Sequence, residues 1–151
     1  MILQTCAPVT NGLDNPINGT DGTDFIQGLG DADTIYGFLG NDVLYGDRQF
    51  SAGVDGNDKL YGGPGNGSLF GYGGNDLLSG GDGDDYLGAD RIGNQFEPDK
   101  DTVKGGPGND TVQANDGFKD IIDCGTGKND KVFFDKGKDT IKNCEVKNPP
   151  E

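Results

Sequence analysis

Histidine and tryptophan are absent from this 151-residue chain, methionine occurs once and cysteine three times. Apolar residues make up 31%, which is thin for an ordinary globular core. No window approaches the apolar run that a transmembrane helix needs, so no membrane insertion is expected. Basic residues are scarce, 12 against 26 acidic, and nothing forms the basic patch that nucleic acid requires. Without histidine, transition metals lack their usual nitrogen ligand and a catalyst lacks its commonest general base. Ser51, Ser68 and Ser79 have no base set beside them. These absences argue against an enzyme.

What the chain has in excess is glycine, 29 residues, and acid, leaving a formal charge of −14. Such a chain stays expanded unless something cancels its repulsion. Roughly seven divalent cations would do so.

The acids are periodic. Residues 105–113, Gly-Gly-Pro-Gly-Asn-Asp-Thr-Val-Gln, match at every specified place the nonapeptide G-G-x-G-x-D-x-U-x, with U a large aliphatic residue. A degenerate copy at 10–18 has Asn15 in the aspartate place. Better copies follow, with Asp24, Asp33, Asp42, Asp58, Asp76, Asp85, Asp101 and Asp110 in that place. Residues 62–70 keep the glycines but carry Gly67 there. Three looser copies centre on Asp120, Asp130 and Asp139.

The first six residues of each repeat are turn-like, and the last three suit a short strand that sends U inward. Two repeats then make one coil, and repeats n and n+2 stack in parallel about 4.8 Å apart. Ile26, Leu44, Leu69, Leu87, Val112 and Val132 are expected in one inner column. Ile17, Ile35, Leu60, Leu78, Val103, Ile122 and Ile141 are expected in the facing one. The aspartates stack along the two edges, where bare carboxylates repel. A hard cation with six to eight oxygen ligands fits such turns, and calcium fits better than magnesium, which demands tight octahedral geometry. The carboxylate pairs a glycosidase would need are also present, but their regular spacing is already accounted for by cation binding.

In these repeats the chain resembles the repeats-in-toxin (RTX, haemolysin-type) calcium-binding family over about residues 10–142. The resemblance implies an all-β, right-handed parallel β-roll, here of about six coils. It also implies that each motif aspartate binds calcium together with carbonyls of two adjacent turns, and that the chain folds on calcium outside the cell. The expected organisation is an N-terminal extension (1–9), a roll (10–146) with a C-terminal cap (124–146), and a polar tail (147–151).

Two insertions, about 48–54 and 90–98, align with each other: Asp47-Arg48 falls on Asp90-Arg91, and each carries Gln-Phe, at Gln49-Phe50 and Gln95-Phe96. Counting repeats puts both on one edge. They read either as a duplicated surface loop or as paired recognition loops in which Arg48, Phe50, Arg91 and Phe96 meet a protein or glycan partner. Outward aromatics, Tyr36 with Tyr61 and Tyr45 with Phe70, read as sheet stabilisers or as a sugar-stacking face.

Cys124 and Cys144 fall on the same edge in adjacent coils, near the Cα separation of about 5–6 Å that a disulfide needs. A Cys124–Cys144 bridge is expected, and with it an oxidising compartment. Cys6 is left over, free or able to pair between chains of an otherwise monomeric protein.

Overall fold

The computed structural model describes residues 16–48, 55–90 and 99–147. It contains fourteen strands and, among the described residues, no helix, so none that could cross a membrane. The strands are β1 (Ile17–Asn18), β2 (Phe25–Gln27), β3 (Thr34–Tyr36), β4 (Val43–Tyr45), β5 (Lys59–Tyr61), β6 (Ser68–Tyr72) and β7 (Leu77–Ser79), then β8 (Tyr86–Asp90), β9 (Thr102–Pro107), β10 (Thr111–Ala114), β11 (Ile121–Thr126), β12 (Lys131–Phe134), β13 (Thr140–Lys142) and β14 (Val146–Lys147).

Odd strands form one seven-stranded sheet and even strands the other, each in sequence order and parallel throughout. This is the β-roll. The odd sheet has one strand for each of the seven residues expected in its column, and the even sheet reaches seven, one more than its six, because β14, two residues long, adds a last rung on β12.

The inner columns stand in the expected register. Ile26 pairs with Leu44, Leu44 with Leu69, Leu69 with Leu87, and Val112 with Val132. On the other sheet Ile17, Ile35, Leu60, Leu78, Val103 and Ile122 follow one another, and Ile141 is half-buried at the end. A fully buried aliphatic side chain contributes roughly 1.5–3 kcal/mol, and each coil has only two. The core is therefore one residue deep on each side, and the turns must also cohere.

The turns close tightly because each meets the backbone of the coil before it. A Cβ on Gly108, which has φ +143°, would run into the Gly83 carbonyl oxygen. The second place of the repeat also takes positive φ, usually with glycine, but Leu29, Phe38 and Tyr72 adopt it at 86°, 73° and 76°. Each such non-glycine residue costs roughly 1–2 kcal/mol.

The outward aromatics pack on one another. Tyr36 stacks on Tyr61 at 5.0 Å between ring centroids, and Tyr45 on Phe70 at 5.0 Å. Tyr72 closes on Tyr45, while Phe25 and Tyr86 tilt against the ends of the row. The stacked rings turn their faces towards one another, so the arrangement stabilises strand pairing.

Cys124 and Cys144 form the expected disulfide, with Cα atoms 5.2 Å apart. Beside it Lys142 pairs with Asp123 at 2.8 Å, and the Asn143 amide donates to the same carboxylate. Cys6, Phe50, Arg91 and Phe96 lie outside the described residues; Arg48 is exposed. The turns bearing the two insertions enter β5 and β9, which lie in one sheet with β7 between them.

Candidate metal centre

The turns form two edges. Those entering the even strands carry Asp24, Asp42, Gly67, Asp85, Asp110 and Asp130, and will be called the first edge. Those entering the odd strands carry Asp33, Asp58, Asp76, Asp101, Asp120 and Asp139, the second edge. The first five aspartates of each edge list, where an aspartate is present, are nearly or wholly buried.

Each carboxylate is fixed by its neighbour in the stack. On the second edge the backbone N–H of Asp33 donates to Asp58 Oδ1 at 2.7 Å, that of Asp58 to Asp76 at 2.8 Å, and that of Asp76 to Asp101 at 2.6 Å. Asp101 and Asp120 continue the series to Asp139. The first edge has the same ladder from Asp24 to Asp42 and again from Gly67 through Asp85 and Asp110 to Asp130.

The second oxygen has a different fate. In nine motif aspartates, Asp33, Asp42, Asp58, Asp76, Asp85, Asp101, Asp110, Asp120 and Asp130, Oδ2 is buried with no hydrogen-bond partner. A buried, unmatched carboxylate oxygen is costly. Asp24 and Asp139 differ. Asp24 Oδ2 accepts from the Thr20 N–H at 2.6 Å and the Thr20 hydroxyl at 3.0 Å, and Asp139 Oδ2 accepts from the Asp135 N–H at 2.6 Å.

The unmatched oxygens do not face donors. At Gly28, Asp33 Oδ2 and the Gly46 carbonyl oxygen both lie under 3.0 Å from the point a Cβ would occupy. The same pair of acceptors, one carboxylate and one carbonyl from the next coil, converges at Gly37, Gly46, Gly80 and Gly105. Acceptors brought together without a proton between them are what a hard cation stabilises. Among the described residues no three acidic or sulfur side chains gather to hold a metal by themselves, so carboxylate and carbonyl oxygens together would have to supply the donor set. The residues fit calcium on this ground.

Without a cation the turns are electrostatically frustrated. Burial, and then neighbouring aspartates, push Asp76 and Asp101 up to about 9. Burial likewise pushes Asp58, Asp110 and Asp120 up to about 7 and Asp85 to about 6. It also raises Asp33, Asp42, Asp130 and Asp139. Asp123, outside these rows, is lowered by its hydrogen bond from Lys142.

Parallel coils whose turns repeatedly bring carboxylate and carbonyl oxygens together define a calcium-binding β-roll. The chain belongs to the RTX calcium-binding nonapeptide repeat family, whose model, describing four copies of the repeat, matches residues 18–50, 52–87 and 98–118. No curated protein and no solved structure gives a significant match.

Two features of the turns were not read from the motif. The fifth place, treated as variable, forms a second ladder. Asn66 N–H donates to Asn41 Oδ1, Asp84 N–H to Asn66 Oδ1, Asn109 N–H to Asp84 Oδ1 and Asn129 N–H to Asn109 Oδ1. Its donors lie one coil later than its acceptors, the reverse of the buried aspartate ladder. The recurring Asn-Asp at 41–42, 57–58, 75–76, 109–110 and 129–130 was the available signal. Glu145 ends the first edge, accepting from the Asp130 N–H at 3.0 Å. It stands in the aspartate place of a short last repeat ahead of β14.

Proposed function

We propose that this protein is a non-enzymatic, extracellular β-roll that folds when several calcium ions, roughly 5–8, enter the turns. The observation that carries the reading is the set of nine buried Oδ2 atoms without partners, each at the same place in its repeat. The ligands would be Asp33, Asp42, Asp58, Asp76, Asp85, Asp101, Asp110, Asp120 and Asp130, with turn carbonyls from the adjacent coil. Asp24 and Asp139, whose outer oxygens accept from Thr20 and Asp135, act as ends of the rows.

Calcium supplies the charge that lets these carboxylates remain ionised and buried. The chain supplies the rest: the ladders orient each carboxylate, the glycines let carbonyls approach, and the aliphatic columns hold the coils in register. Binding energy then becomes folding energy. Extracellular calcium sites of about 10⁻⁴–10⁻³ M would leave the chain unfolded inside a cell and folded outside, where the Cys124–Cys144 bridge is also stable. The folding unit would run over about residues 10–146, with 124–146 as its cap.

Calcium titration into EDTA-stripped protein, followed by far-UV circular dichroism and calorimetry with magnesium as control, tests this. A cooperative coil-to-β transition with several ions per chain is expected. A chain already folded in EDTA and indifferent to calcium would overturn it.

A second reading, a calcium-stabilised adhesin or polysaccharide-binding module, is favoured by the placement of both insertions on the second edge, entering β5 and β9. Arg48, Phe50, Arg91 and Phe96 would make the contact. Replacing both phenylalanines with alanine should abolish binding to a glycan array or a captured protein while leaving calcium folding intact. The mutual packing of the outward rings weighs against a sugar platform on the sheet faces.

A further inference from the structure

We propose that Gly67 splits the cation row of the first edge into two separately filled banks, so that the turn of Asp42 is the last to take calcium. The inference rests on the calcium reading above and concerns the order in which this chain's own sites fill.

The second edge is unbroken: its ladder runs from Asp33 to Asp139 without a missing carboxylate. The first edge is interrupted once. The backbone passes through the gap intact, since the Ser68 N–H donates to the Asp42 carbonyl at 2.7 Å and the Gly65 N–H to the Asp82 carbonyl at 2.7 Å. Gly67 itself still donates to Asp85 Oδ1 at 2.7 Å. Only the side chain is lost. The point where a Cβ of Gly62 would stand faces the Gly80 carbonyl oxygen as the other turns would lead one to expect, but no carboxylate oxygen is among its three nearest atoms.

Nothing in the backbone requires glycine at 67. It is not among the glycines with positive φ. A Cβ there would first meet Leu69 Cδ1 at 3.1 Å and Asp85 Oδ1 at 3.3 Å, side-chain ends rather than backbone, each of which would have to shift by a few tenths of an ångström. The turn is thus competent for a carboxylate and lacks one.

The gap isolates Asp42. On one side stands Gly67; on the other stands Asp24, whose outer oxygen converges with the Gly37 carbonyl but, unlike the other motif oxygens beside it, already accepts two hydrogen bonds from Thr20. Beyond the gap Asp85, Asp110 and Asp130 form an uninterrupted bank, each with an unmatched Oδ2. In a one-dimensional stack a site is stabilised by its neighbours, so the site with none is the weakest. At intermediate calcium the second edge and the lower bank are closed while the turn at 37–42 is still open.

Hydrogen exchange across a calcium titration, with native mass spectrometry for ion count, tests this on the whole chain, on Gly67→Asp and on Gly67→Ala. In the unmodified protein, amides of residues 37–43 should need on the order of fivefold more calcium for half-protection than amides of 28–34 or 80–86, as expected for loss of a typical site–site coupling. Gly67→Asp should bind about one more ion per chain and close most of that difference. Gly67→Ala, which stiffens the unfolded chain without adding an oxygen, should do neither. A common midpoint for all segments of the unmodified protein would overturn the inference, as would an alanine variant equal to the aspartate one. An unmodified chain that binds no calcium would instead overturn the parent reading and this one with it.

Discussion

Asp101 stands over Asp76: the Asp76 N–H donates to Asp101 Oδ1 at 2.6 Å across 25 residues of sequence, and the outer oxygen of each is buried without a partner. The two carboxylates are the most strongly raised of the edge, both to about 9. A fold that places two buried acids one above the other and leaves the outer oxygen of each without a partner is poised for a cation between its coils.

Asp101→Asn should therefore act with opposite signs in the two conditions. In EDTA the neutral amide removes repulsion, so the variant should gain residual structure over the unmodified chain. In calcium it removes a charged ligand, and the calcium midpoint should rise on the order of tenfold, the scale of a typical coupling between sites. Circular dichroism in both buffers reads the two signs; the same direction in both would argue that Asp101 is only a turn residue.

Acid should partly replace calcium. Asp58, Asp76, Asp85, Asp101, Asp110 and Asp120 are raised in the folded chain, to between about 6 and about 9, against about 3.9 when unfolded. The folded form then binds more protons than the unfolded one, and stability falls as pH rises. In EDTA, β structure should be greatest below about 3.9, where these carboxyls are protonated in both states, should weaken as the unfolded chain ionises above that, and should be lost as pH climbs towards about 9, the value of Asp76 and Asp101. With calcium present protons compete for the same oxygens, so the calcium midpoint should rise as pH falls. A pH series of calcium titrations checks both slopes.

Asp24→Asn and Asp110→Asn should not be equivalent. Each shares a cradle with a carbonyl of the next coil, Gly37 for Asp24 and Cys124 for Asp110, but Asp24 Oδ2 also accepts from Thr20, whereas that of Asp110 is unmatched. Loss of one ion and a raised calcium midpoint are expected for Asp110→Asn. Asp24→Asn, whose amide oxygen still accepts from Thr20, should keep the ion count and cost at most about 1 kcal/mol. Native mass spectrometry at saturating calcium separates them.

Cutting the bridge with Cys144→Ser should destabilise the calcium-loaded roll by roughly 3 kcal/mol, from the closure of a loop whose cysteines are 20 positions apart in sequence. Thermal unfolding of the oxidised protein, the reduced protein and the variant should place the last two together and below the first. Exchange should quicken first in β13 and β14, the rungs the bridge holds down.

Much of this was legible in the chain because a solenoid is locally encoded. Alternation in Phe25–Gln27 or Thr34–Tyr36 decides which side chain turns inward, and the repeat length decides what stacks on it, so Leu44 over Ile26 follows from counting. The aspartate rows and the Cys124–Cys144 pair followed from the same count. The ladder of Asn41, Asn66, Asp84, Asn109 and Asn129 did not, because its partners sit one coil apart and its residues resemble ordinary turn formers. Glu145 escaped because its repeat is too short to show the pattern.

The sequence by itself determined the period, the sign of the charge, the two aliphatic columns and the rows of acid, since these depend only on spacing along a regular coil. Tertiary structure alone decided which oxygen of each aspartate is spent and which is left over. That choice depends on what the neighbouring coil presents: a backbone N–H at Asp58, a threonine beside Asp24, a bare carbonyl facing Asp33. It also decided that the outward rings stack on each other, because strand pairing brings Tyr45 and Phe70 within 5.0 Å. Groups far apart in sequence compete for the same few ångströms, and only the folded stack settles which of them a cation would satisfy.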